Sequence, residues 1–302
     1  MNRRLFILGW LMSVATIVCA DVYLGVGLSG AYPWHLRKDA QDVATTLPAF
    51  NTSLGYRGEA GVSINYQHEH FLLSAGLGAA YQMASVKLAQ AAQSNFTMTD
   101  GRGVSYEYQI ILDPRRDQLK QLDIEIPVLL GAEISSFYFL AGVKFAFNAY
   151  AATRVDATYT TQSIFDRYYE PIIDYSEQTY SESEPVKLTL GIRGVIEAGA
   201  SLTLGAQQFS TKKGKQKLRI AAYLEFAPAG QQLLTHHYTS LVQPDDNKQP
   251  QLYHLYTISN NGAPLIKTTA MCAGIRLTYL IPLHTSSHKS ARGGNRKCHC
   301  EK

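Results

Sequence analysis

From Lys187 to Leu204 the chain alternates for eighteen residues without a slip. One face carries Leu188, Leu190, Ile192, Ile196, Leu202 and Leu204; the other carries Lys187, Thr189, Gly191, Arg193, Glu197, Ser201 and Thr203. A period of two belongs to a β-strand, and the run is about three times the ~5–6 residues of an average one. Few folds use strands that long.

Seven further segments repeat the pattern, at about 21–32, 55–66, 71–86, 122–133, 137–148, 217–226 and 271–281. Their connections alternate in length. Residues 67–70, 134–136 and 205–216 form short ones, whereas 33–54, 87–121, 151–186 and 228–267 form long ones. A transmembrane barrel has short periplasmic turns and long extracellular loops, and each segment reaches the ~9–11 residues of an oblique crossing. The predicted fold is therefore all-β: an eight-stranded antiparallel up-and-down transmembrane β-barrel with long extracellular loops and short periplasmic turns. A soluble, secreted lipocalin-like ligand-binding barrel is the competing architecture. The face opposite the apolar one favours the membrane, being rich in glycine (Gly25, Gly27, Gly61, Gly76, Gly131, Gly142) and poor in charge. Such a face suits the crowded inside of a narrow barrel.

Composition agrees. In 302 residues, 46% hydrophobic content and a formal charge of +4 exclude a disordered chain. The 17% charged content lies below the ~25% usual in soluble domains. Mean hydropathy of −0.12 decides nothing, because alternation averages it out. Met1–Ala20 reads as a secretory signal: Arg3 and Arg4, an apolar stretch from Leu5 to Val18, then Val18-Cys19-Ala20 as the cleavage site. Residues 21–282 would form the barrel in the outer membrane. Residues 283–302, with Lys289, Arg292, Arg296, Lys297 and Lys302 against Glu301, would form a disordered basic periplasmic tail. A zinc site at Cys298-His299-Cys300 would need further donors, for which His284 and His288 are the nearest candidates, and a loose tail with two thiols is the plainer reading.

With the polar face inward, the lumen collects Arg57, Lys144, Arg193, Arg219 and Arg276 against Glu59, Asp123, Glu125, Glu133, Glu197 and Glu225. Bare buried carboxylates cost several kcal/mol each, so a structural Arg/Glu network across the lumen is expected. Eight strands leave room for side chains and none for a channel. Pro127, mid-strand, predicts a bulge or local irregularity.

The run Leu122-Asp123-Ile124-Glu125-Ile126-Pro127-Val128-Leu129-Leu130-Gly131, the tight turn, Phe137-Tyr138-Phe139-Leu140-Ala141-Gly142-Val143-Lys144, and the late Ala273-Gly274-Ile275-Arg276-Leu277-Thr278-Tyr279 resemble one family. It is the Gram-negative outer-membrane β-barrel family of PorT-like and small OmpA/OmpX-type proteins. The resemblance implies an integral barrel of about eight strands, with no cofactor and no catalytic residues to carry over. PorT itself serves a secretion apparatus. The residues after Pro282 depart from the pattern of barrels that end on an aromatic residue of the last strand.

The loops carry the remaining signals. Loop 151–186 is rich in tyrosine (Tyr159, Tyr168, Tyr169, Tyr175, Tyr180) and acid, a candidate for a protein partner at the cell surface. Ser105–Ile111 and Gln251–Ile258 alternate, so strands are expected to extend above the membrane, where open edges accept an extended partner. A rim enzyme modifying lipids or cleaving protein would draw on His35, His236, His237, His254, Asp245, Asp246 and Ser240, whose spacing is not diagnostic. No glycine-rich loop links a strand to a helix, so nucleotide binding has no support. Nucleic acid is not an expected partner; outer-membrane lipids are.

Overall fold

A computed structural model describes residues 20–37, 50–165, 172–204, 210–211, 214–227, 231, 233, 238, 240–245, 247, 249–260, 263–264 and 266–284. Residues 1–19 and the segment after His284, which hold the expected signal, Cys298 and Cys300, lie outside them.

Eleven strands make one antiparallel sheet: β1 (Asp21–Arg37), β2 (Phe50–His68), β3 (Phe71–Leu88), β4 (Ala92–Thr99), β5 (Ser105–Leu112), β6 (Arg116–Ile134), β7 (Phe137–Ile164), β8 (Ile172–Val186), β9 (Gly191–Thr203), β10 (Lys217–Phe226) and β11 (Ile266–His284). Eight of them close a ring in the order β1-β2-β3-β6-β7-β9-β10-β11, with β11 returning to β1 and β7 to β9. Neighbours in the ring are neighbours in sequence once β4, β5 and β8 are set aside. At the end with the long connections, β5 and β8 pair with the outer half of β7, and β4 pairs with β5. No α-helix occurs among the described residues.

The two ends of the sheet are built on opposite rules. Around the ring, large apolar side chains point outward: Leu28 is 62% exposed, Phe137 72%, and Val62, Leu77, Leu130, Ile196, Ile220 and Leu277 are exposed with them. Charged side chains point inward, and Arg193 is 1% exposed. Above the ring the inside turns apolar. Val86, Leu88, Ile110, Leu112, Leu119, Val155, Leu241, Val242, Leu255, Tyr256 and Ile258 are among the buried residues of a conventional core that caps the opening.

β6 shows both rules along one strand: its inward positions run Asp117, Leu119, Gln121, Asp123, Glu125. On β7 a bulge makes the change. Leu122 pairs with Tyr150 and Asp123 with Asn148, leaving Ala149 unopposed. One extra residue flips every later side chain to the other face. Even-numbered positions face inward up to Asn148, and odd-numbered ones from Ala151.

This corrects the sequence reading at several points. Residues 151–186 are not a loop: they continue β7 to Ile164 and form β8. Residues 87–121 contain the hairpin β4–β5 and the first turns of pairing in β6. The run Lys187–Leu204 is not one strand. β9 starts at Gly191, and Leu188, buried in the cap, no longer shares a face with exposed Leu190. Gln251–Ile258 is not one alternating strand: Pro250–Leu252 pairs antiparallel with Val242–Pro244 in a short hairpin, and a 3-10 turn, Leu255–Thr257, follows. At Pro127 the expected local irregularity takes the form of a lapse rather than a bulge: pairing to β3 stops between Val128 and Glu125, and the register resumes unshifted. A proline without its N–H interrupts the ladder there and nothing more.

Candidate functional site

The ring interior brings together every charged residue that alternation assigned to it. One layer centres on Arg193, whose guanidinium lies 3.0 Å from Glu125, 3.4 Å from Glu225 and 3.2 Å from Asp123. Lys144 reaches Glu59 at 2.8 Å and Glu125 at 3.2 Å, and contacts Glu225. Arg57 contacts Glu125 and lies 3.6 Å from Glu225. A second layer, nearer the short turns, holds Arg276 between Glu59 (3.2 Å) and Glu197 (2.6 Å), and Arg219 on Glu133 (2.8 Å). Tyr138 donates to Glu197 at 2.7 Å. Each carboxylate thus meets a cation from a different strand, which ties the ring across its diameter.

Alternation missed several partners. Lys217, at the start of β10, joins the network through Glu133 (2.8 Å) and Gln67 (2.7 Å). With it the interior holds six cations (Arg57, Lys144, Arg193, Lys217, Arg219, Arg276) against six carboxylates, so the formal charges cancel. Arg219 and Arg276 also lie over the rings of Tyr138 and Tyr223, at 4.8 and 4.7 Å. A strand-starting lysine and inward tyrosines carry no signal in a count of charges.

Gln231 was equally invisible, because it comes from the connection after β10. Its side chain is buried at the top of the charged layers, where its oxygen accepts from Arg193 and Gln121, both at 3.1 Å. A cavity of about 60 Å³ remains below, lined by Ser29, Asn65, Glu197, Arg219 and Arg276 among others. That is space for a few water molecules.

The cap contains its own buried ion pair. Arg115 lies 3.2 Å from Asp117 and donates to the Tyr253 carbonyl; Asp117 accepts from the Leu255 N–H at 2.7 Å. These contacts hold the 3-10 turn down on β6. Burial pushes the Asp117 carboxyl up to about 6, against the pull of Arg115 and of the Leu255 N–H. Burial, with Arg115 nearby, lowers His254 to about 4. His254 is therefore a neutral, enclosed ring at pH 7.

The rim-enzyme residues take other places. His254 is buried, Ser240 donates to the Val242 carbonyl, and Asp245 accepts from the backbone of Asn247 and Gln249. Ser240 and Asp245 thus bond within their own loops. His236, His237 and Asp246 lie outside the described residues, as does the side chain of His35.

Of the candidate partner-binding tyrosines, Tyr159 points into the cap core and is unavailable to a partner, because the bulge on β7 set its face. Tyr180 is half-buried at the edge of that core and contacts Glu182. Tyr168, Tyr169 and the side chain of Tyr175 lie outside the described residues.

No protein-family model matches this chain, and no curated protein matches it.

Proposed function

We propose that this chain is an integral outer-membrane β-barrel protein, non-enzymatic, with a packed lumen and a folded cap at the cell surface. Its role is structural or adhesive, or that of a component in a surface or secretion complex, as its PorT-like resemblance implies. The observation that carries this reading is the inverted ring, apolar outside and ionic inside. Water-soluble proteins rarely leave a continuous apolar surface beyond a few hundred Å², and a lipocalin-like carrier needs the opposite arrangement.

The dimensions support it. Tyr32, Tyr56, Tyr81 and Tyr150 stand exposed on neighbouring strands at one level, and Phe71 and Phe137 at the other end. Phe71 and Tyr81 are ten residues apart on β3, about 34 Å along the strand. At a tilt of ~40° that spans ~26 Å along the axis, the height of an apolar band between aromatic girdles. The cross-braced ion pairs and Gln231 fill the interior, and the buried residues of the cap lie over the same end.

Gel migration of outer membranes with and without boiling tests the reading. The expected result is a faster unboiled band, resistant to carbonate extraction. Release by carbonate with a single mobility would overturn it.

A further inference from the structure

The sheet above the ring ends in two strands, and they are finished differently. At one edge, β8 carries Glu177, Glu182, Glu184 and Pro185, and its pairing to β7 shifts register twice between Tyr159 and Gln162. Charges, proline and irregularity are the usual means of keeping an edge from pairing. At the other edge, β4 reads Ala-Gln-Ser-Asn-Phe-Thr-Met-Thr: no charge, no proline, and eight unbroken pairs with β5. Among the described residues β5 is its only strand neighbour.

The hairpin fixes which backbone groups of β4 are open. Asp100 donates its N–H to the Val104 carbonyl, so the pair 100/104 is a hydrogen-bonded one. Bonded and non-bonded pairs alternate along an antiparallel ladder. The N–H and C=O of Gln93, Asn95, Thr97 and Thr99 therefore point away from β5, toward the free edge. The side chains divide in step. Phe96 and Met98 pack on the cap core yet stay half-exposed, while Gln93, Asn95, Thr97 and Thr99 face solvent. A strand laid beside β4 would find an unguarded ladder, an apolar flank on one face, and a neutral amide and hydroxyl row on the other.

We propose that the free edge of β4 is a docking site for an extended peptide segment of a partner protein, bound by strand addition. The segment is uncharged and alternates apolar residues, which cover Phe96 and Met98, with small polar ones. Its paired length is about eight residues, or ~27 Å. A second copy in the same membrane fits poorly. A two-fold axis along the membrane normal relates antiparallel strands only when they lie flat, whereas this sheet prolongs tilted ring strands. The proposal rests on the reading that the cap faces outward from a membrane barrel.

The test uses the full chain in lipid nanodiscs, accepted only when its unboiled band migrates fast, which separates failure of the site from failure of the barrel reading. The probe is a fluorescent octapeptide of alternating valine and threonine with a lysine tag, beside the same peptide N-methylated at alternate residues. Saturable binding is expected for the first, and at least tenfold weaker binding for the second. Thr97→Pro removes an outward N–H without touching the β5 ladder and should weaken binding at least tenfold. Thr97→Val keeps the N–H and should stay within twofold. No saturable binding, equal binding of the methylated probe, or unchanged binding to Thr97→Pro would each overturn the proposal. So would a dimer of the wild-type chain that Thr97→Pro converts to monomer, since the occupant would then be a second copy.

Discussion

Arg193→Met is expected to remove roughly 3–5 kcal/mol of stability, the usual cost of stranding partners of a buried ion pair. The guanidinium is the shared cation of Asp123, Glu125 and Glu225 and also donates to Gln231, and its side chain is 1% exposed. Methionine fills much of the volume but answers none of those charges. Arg57 and Lys144 remain, leaving two cations in a layer with four carboxylates, Glu59 included. Against total stabilities of ~5–15 kcal/mol this is a large fraction. Urea unfolding of the lipid-reconstituted protein measures it. Adding Glu125→Gln should recover part of the loss, because it removes one stranded charge; additive losses in the double variant would show that the pair is not coupled.

Gly142→Val is expected to prevent assembly outright. Gly142 pairs with Leu129 across β6 and β7, and a Cβ there would fall on the Val128 carbonyl oxygen, with the Leu129 Cα only 2.9 Å away. Ordinary overpacking costs ~1–3 kcal/mol because side chains can move; here the obstacle is backbone held in a ladder. Gly30→Val and Gly58→Val are the matched controls. Both glycines pair with each other, and a Cβ at either meets nothing within 4 Å. These two variants should assemble and migrate as the wild type does. Equal loss in all three would mean that any added bulk is rejected, and the close-approach argument would fail.

The ring was legible in the sequence because its large apolar side chains face out along its whole height and its charged ones face in, although Leu72, Leu129, Leu140 and Val195 also pack inside. Eight segments, their order and the inward placement of Arg57, Glu125, Arg193 and Glu225 all follow from that alternation. The cap was not legible, because the rule reverses there while the strands continue. Leu119 and Asp123 occupy the same face of β6, and no periodicity marks the level at which the surroundings change. The bulge at Ala149 breaks the pattern of β7, so residues 151–164 read as loop. Gln231 and the turn Leu255–Thr257 reach their places only through contacts between segments distant in sequence. A tally of mid-strand charges leaves out Lys217 at the start of β10, although its reach into Glu133 completes the charge balance.

The central claim is that the outer face of the ring is covered by lipid. Single cysteines at Leu28, Val62, Leu130, Ile196 and Leu277, each carrying a fluorophore, would be compared in bilayers containing lipid-borne or water-borne quenchers. The account predicts strong quenching by the lipid-borne agent at all five positions, and little by the water-soluble one. Efficient quenching from water along this face would contradict it.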